Sequence, residues 1–158
     1  MLSVALVVVH SVSLAEADDS PCANFVKMDL PERLVELMRG SNPCFITTLM
    51  PDGSPQTTET WVDTDGEHIV INTVQTHQKM RNIGRDSRVS VAICDATDPS
   101  RYFAIRGNVK NITTEGGAEH IELLSQRYTG GPYPWYGGRD QVRVILTIAS
   151  DHIHSMDR

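Results

Sequence analysis

The sequence predicts a mainly β chain, an antiparallel barrel that is closed or nearly closed, with short helices set between its strands. Strand-like runs follow one another across tight turns, and the helical stretches are too few for regular strand-helix-strand alternation. Neither a Gly-x-Gly-x-x-Gly turn nor a Gly-Lys-Ser/Thr loop is present, which disfavours a Rossmann-type sheet and the common phosphate loop.

The elements follow in order. Asp29 and Glu32 have the spacing of a helix capping box, Pro31 stands in the first turn, and Leu30, Leu34, Leu37 and Met38 recur on one face before Gly40. Residues 44–50 read as a buried strand, Pro51-Asp52-Gly53-Ser54 as a tight turn, and 55–63 as the antiparallel partner. A second turn at Thr64-Asp65-Gly66-Glu67 leads to a third strand over 68–74, completing a meander. A basic helix is predicted over 76–84, then an alternating strand over 88–94, a turn over 95–100 and a long strand over 101–112. Residues 114–128 form a helix with Ala118, Ile121, Leu124 and Tyr128 on its apolar side, closed by Gly130-Gly131. Residues 129–140 are rich in glycine, proline and aromatics, an ordered loop. Val142, Val144, Leu146 and Ile148 then alternate along a last strand, which 151–156 extends or pairs with.

At 158 residues, 40% hydrophobic and 22% charged, the chain is expected to form one domain with its own core. Its formal charge of −6 argues against nucleic acid or an anionic membrane as partner, since both attract cationic surfaces. Cys22, Cys44 and Cys94 are odd in number and widely spaced, which argues against a disulfide framework or a thiolate zinc site and for a cytoplasmic location. The apolar run at residues 3–9 followed by Ala15-Glu16-Ala17 resembles a signal peptide but lacks a basic start. Residues 1–27 are read instead as an extension ahead of a domain over 28–158.

The stretch from Ile71 to Asn82 carries the chemistry. A strand feeds directly into a helix start at which Thr76 can cap, and Lys79, Arg81, Arg85 and Arg88 face the single acid Asp86. This is either an anion site, with Lys79 beside free backbone N–H groups, or a solvated basic face. Arg106 falls in a long apolar strand, where an unpaired charge is costly, so a partner is expected for it. His152 and His154 share a strand face but lack further ligands, and no metal site is expected. No nucleophile-base pair suggests hydrolysis.

The order of Pro51-Asp52-Gly53-Ser54-Pro55-Gln56, Trp61, Asn72-Thr73, Lys79-Met80-Arg81-Asn82, Asp86-Ser87-Arg88-Val89, Tyr102 with Ile105-Arg106-Gly107, and Tyr128-Thr129-Gly130 with Tyr133-Pro134 resembles one family. It is that of the flavin and deazaflavin oxidoreductases related to pyridoxamine 5′-phosphate oxidase, and the pattern is most similar to its branch using coenzyme F420. His77-Gln78-Lys79 stands where the FMN-using oxidase branch has a serine-arginine-lysine phosphate grip.

The resemblance implies a split β-barrel, a six-stranded antiparallel Greek-key barrel of the FMN-binding type. It also implies a homodimer with the cofactor at the subunit interface. By the same resemblance F420, or alternatively FMN, would meet Gln56, Trp61, Asn72, Thr73, Thr76, His77, Lys79, Asn82 and Arg106. The phosphate would lie at Lys79 and Thr76, and the ribityl chain and ring edge along Asn72 and Thr73. Trp61 would wall the ring, though plain core packing suits it as well, and strand termination suits Asn72 and Thr73. The implied reaction is hydride transfer between reduced deazaflavin and a small electrophile such as an enone, a quinone or a C=N compound. Tyr133 and Tyr136 in the aromatic loop are candidate proton donors. The alternatives are an FMN-dependent oxidase or reductase and a non-catalytic carrier of F420, FMN or haem.

Overall fold

The computed structural model of this chain describes residues 29–156. The expectation for residues 1–27 lies outside them. Helix α1 (Glu32–Arg39) precedes the strands β1 (Cys44–Leu49), β2 (Pro55–Thr60), β3 (Val62–Thr64) and β4 (Ile69–Val74). After helix α2 (Gln78–Arg85) come β5 (Arg88–Cys94), β6 (Tyr102–Thr113), helix α3 (Gly117–Thr129) and β7 (Arg143–Ser155).

The strands form one antiparallel sheet in the order β2-β1-β5-β6-β7-β4-β3. Its two edges, β2 and β3, are separated in sequence by Trp61 alone, so the sheet curls back on itself. The single strand expected over 55–63 therefore bends at Trp61. Seven strands result, or six when the bent pair counts as one, in the Greek-key order of a split barrel.

Inside the curl lies a core of Cys44, Ile46, Val62, Ile69, Ile71, Val91, Ile93, Ile105, Leu146 and Ile148, all at most 1% exposed. Strand alternation aims these side chains inward, and α1 adds Leu34, Leu37 and Met38 from its single apolar face. Both cysteines described, Cys44 and Cys94, are free, and burial pushes the Cys44 thiol well above its ordinary range. No helix among the described residues is long and apolar enough to cross a membrane.

Three local expectations are corrected. The Asp29 capping box does not form: Pro31 occupies the N-cap position of α1 with no side-chain cap bond. A residue before proline is disfavoured in the helical region, so Leu30 cannot begin the helix and Asp29 falls out of register with its start. Helix α2 likewise begins at Gln78, with His77 rather than Thr76 at its N-cap, again without a side-chain cap bond. Helix α3 starts only after Gly116, whose positive φ of 70° sets its N-cap, and leaves Ala118 exposed while Ser125 is buried.

Candidate functional site

A cavity of about 380 Å³ opens where the curled sheet, α2, α3 and the loop before β7 meet. Trp61 stands on its wall because the chain bends there. Its ring stacks on Tyr128 at 5.2 Å and meets the edge of Tyr133 at 6.0 Å. Tyr128 is itself fixed by two backbone bonds, donating to the Asn42 carbonyl at 3.0 Å and accepting from the Val62 N–H at 3.2 Å. Burial pushes its phenol up to about 12. Trp61 thus both packs and lines the cavity.

Cationic groups line the same cavity. Helix α2 turns Lys79, Asn82 and Ile83 to its buried side, at the i, i+3, i+4 spacing of one helical face. Lys79 is 6% exposed, lines the cavity and pairs with no carboxylate among the described residues. Burial and the nearby Arg143 guanidinium both lower its pKa from the ordinary lysine value. Burial, Lys79 and Arg143 lower that of His77 in the same way, favouring the neutral ring, whose Nδ1 lies 3.3 Å from the Thr73 hydroxyl. Lys79 and Arg143 thus place two cations on the lining, against the single carboxylate of Glu59.

Arg143 is held by two residues, Asn72 and Tyr133. Its Nε donates to Asn72 Oδ1 at 2.7 Å, its guanidinium lies 5.2 Å over the Tyr133 ring, and Nη1 donates to the Tyr133 oxygen at 3.4 Å. Pairing of Val74 with Arg143 makes Asn72 the diagonal neighbour on the same face. Asn72 Nδ2 in turn donates to the Gly117 carbonyl at 2.8 Å and lies 3.3 Å from His120 Nδ1. His120 Nε2 is 3.3 Å from Asp63, which also accepts from Arg127 at 3.0 Å. A polar chain thus runs from the cavity through Asn72 into the contact between α3 and β3.

The structure gathers Trp61, Asn72, Thr73, His77 and Lys79 around the cavity. The other four residues expected there stand elsewhere. Gln56 accepts from Thr48 at 3.2 Å, four residues before the Thr60 end of β2 that reaches the cavity, roughly 13 Å along an extended chain. Thr76 is exposed in the turn before α2, and its carbonyl accepts from Arg81 at 2.9 Å. Asn82 is fully buried and its amide is occupied by Gln78, Thr48, Met50 and Arg85, clipping α2 to β1. Arg106 points outward, because Phe103, Ile105 and Gly107 take the inward positions of β6. It lines a separate hollow of about 400 Å³ with Arg88 and Asp151, so the buried charge expected in that strand is absent.

The basic cluster also divides. Arg81 folds back on Gln78, Arg85 donates to the Leu49 carbonyl and Arg88 pairs with Asp86, all three exposed, leaving Lys79 alone at the cavity. Sequence reasoning missed Arg143. The only signal for it was an arginine at the head of an apolar strand, and the alternation of Val142 with Val144 assigned it to the other face. Glu59, Thr60 and Ile121 were missed as well, and Tyr133 and Tyr136 enter from the aromatic loop. Among the described residues no three His, Cys, Asp or Glu side chains are placed to hold a metal ion.

The sequence profile described as Pyridoxamine 5′-phosphate oxidase matches residues 30–156. The fold is similar to that of a solved F420 reductase, with a TM-score of 0.69 and 28% identity over 79% of this chain and 98% of that one. It is also similar to a conserved hypothetical protein from Mycobacterium tuberculosis, with a TM-score of 0.64 and 27% identity over 84% and 88% of the two chains. General Stress Protein 26 from Bacillus anthracis shares the fold at 16% identity, with a TM-score of 0.60 over 78% and 91%. No curated protein matches the chain.

Proposed function

The chain belongs to the pyridoxamine 5′-phosphate oxidase family, and from that premise we propose that it is an oxidoreductase using the deazaflavin coenzyme F420. Its substrate would be a small electrophile such as an enone, a quinone or a C=N compound. The observation that carries this reading is Lys79: a buried cation without an acidic partner among the described residues, near Arg143, on the lining of a cavity walled by Trp61 and Tyr133. A site that joins an unpaired buried cation to aromatic walls suits a ligand with a phosphate and a planar ring. Its volume lies within the range of small-molecule sites. The similar F420 reductase favours the deazaflavin over FMN.

Bound deazaflavin supplies two-electron hydride transfer. This chain's residues bind, orient and exclude water. Lys79 would hold the phosphate by a charge-assisted bond, and Arg143, set by Asn72, would add a second donor. Trp61 and Tyr133 would flank the ring, and Tyr133 or Tyr136 would stand nearest to donate a proton to product. We extend the reading to a cytoplasmic homodimer with the cofactor between subunits, which would give Arg106 and its outer hollow a partner surface.

Equilibrium titration of the purified protein with F420, FMN and haem tests this, followed by F420H2 oxidation against enones and quinones. F420 binding with turnover is expected, from a species sedimenting at twice the 17.5 kDa chain mass. Tight FMN binding without F420 binding would replace deazaflavin by flavin. Binding of F420 without turnover on any acceptor would favour a carrier.

A further inference from the structure

The loop between α3 and β7 carries two cavity-lining residues, Tyr133 and Tyr136, and its attachment to the domain is narrow. Gly130 and Gly138 bracket it with φ of 74° and 94°, conformations that glycine adopts without strain and that mark natural pivots. Between them Trp135 takes a φ of 47°, the one positive value at a non-glycine residue among those described. A bulky side chain reaches that region only where its surroundings hold it.

Glu122 does the holding. One carboxylate oxygen accepts the Tyr133 backbone N–H at 2.8 Å, and the other accepts the Trp135 indole N–H, also at 2.8 Å. These bonds, with Arg139 close by, keep the Glu122 carboxyl below its ordinary range. Arg139 also lies 5.7 Å over the Trp135 ring. The remaining backbone bonds near the loop tie it to itself, as from Gly138 to Trp135, or fall at its ends, as from Gln75 to Val142. Within the loop's middle, only Glu122 and the longer Arg143 bond to the Tyr133 hydroxyl reach across to other elements among the described side-chain hydrogen bonds. The aromatic contacts of Tyr133 with Trp61, Trp135 and Tyr136 pass along the same strip.

We propose that residues 130–138 form a lid over the cavity and that Glu122 is its latch, a positioning residue that sets how often the aromatic side of the pocket opens. The lid concerns the same cavity as the proposed function, but the latch itself can be tested without any ligand. A carboxylate accepting two donors closes the lid; when it lets go, the loop pivots about Gly130 and Gly138 and carries Tyr133 and Tyr136 away from Trp61 and Arg143.

Amide hydrogen exchange on the intact chain decides it. Glu122→Gln, which keeps the shape and loses the charge, and Trp135→Phe, which loses the indole N–H together with part of the ring, are each expected to speed exchange at the amides of residues 131–137 other than Pro132 and Pro134. A roughly tenfold change for Glu122→Gln corresponds to losing a hydrogen bond to a charged group. Exchange in α3 and the sheet should hold, and the two substitutions together should act less than additively, because they break one linkage. Unchanged exchange at the Tyr133 amide, the one that Glu122 accepts, in both variants would overturn the latch. Stopped-flow binding of FMN and of F420 supplies the second readout. A lid requires association and dissociation to quicken together in Glu122→Gln, whereas faster dissociation alone would make Glu122 an ordinary binding contact and overturn the lid. Should neither cofactor bind the parent protein, the proposed function falls and the exchange experiment still decides the latch.

Discussion

Lys79 is held at a cost to the fold. It is 6% exposed, and both burial and Arg143 disfavour its charged form. The proposed function gives a reason for keeping a group so placed: the anion that it would bind. Lys79→Met should therefore raise the stability of the ligand-free protein by about 1 kcal/mol, as when apolar packing replaces a buried charge. The same substitution should weaken cofactor binding by about 1–3 kcal/mol, the range for a lost charge-assisted bond. Denaturant unfolding and cofactor titration of one variant check both signs. A variant less stable and equally tight would remove Lys79 from the site. The lysine was legible in the sequence as a cation where a strand runs into a helix. Arg143 was not, because two-residue periodicity sends it to the face opposite Val144, yet both are buried at the start of β7. The arginine lies under α3, a neighbour that no local pattern announces.

At the level of elements, the site depends on how closely α3 approaches β7. Gly117 opens α3, and a Cβ placed there would lie 2.5 Å from the Arg143 carbonyl oxygen. Its own carbonyl accepts from Asn72, the residue that orients the Arg143 side chain. Gly117→Ala should push the two elements apart, at a cost of about 1–3 kcal/mol as for other overpacked positions. Cofactor affinity should fall with it, because Asn72 and Arg143 move together. Thermal unfolding and titration of the variant test this, and a variant bound as tightly as the parent would uncouple α3 from the site. Strands β1, β4, β5 and β6 were readable from alternation and turn residues. The start of α2 was readable only to within two residues, since Thr76 looks like a cap and its side chain serves as none. Gln56 stands away from the cavity because the expected strand of 55–63 is bent, so its two halves face different surroundings.

Across the whole molecule, Asp63 joins the last strand of the curl to α3 through His120 and Arg127. Burial alone would raise its carboxyl, but the hydrogen bonds from His120 and Arg127 outweigh that and hold it well below the ordinary value. The sign follows directly. The stability that Asp63 contributes is fully present above the unfolded-state value near 4 and is lost as pH falls from there toward the lowered folded value. Asp63→Asn should reduce stability at neutral pH by about 1–3 kcal/mol and flatten the decline below pH 4. Denaturant unfolding across a pH series measures it; an unchanged acid limb would mean that other carboxylates govern acid stability.

The sequence by itself determined the fold class, the strand and helix order and the lysine at the mouth of α2. Hydrophobic periodicity and turn chemistry are local, and the motif order ties them to one family. Only the tertiary structure decided that β2 and β3 are the two edges of one curled sheet, that Asn82 is a clip and Arg106 an outward charge, and that Arg143 shares the cavity with Lys79. Each depends on which distant segment lies opposite, and that is settled by packing the whole sheet around a single core.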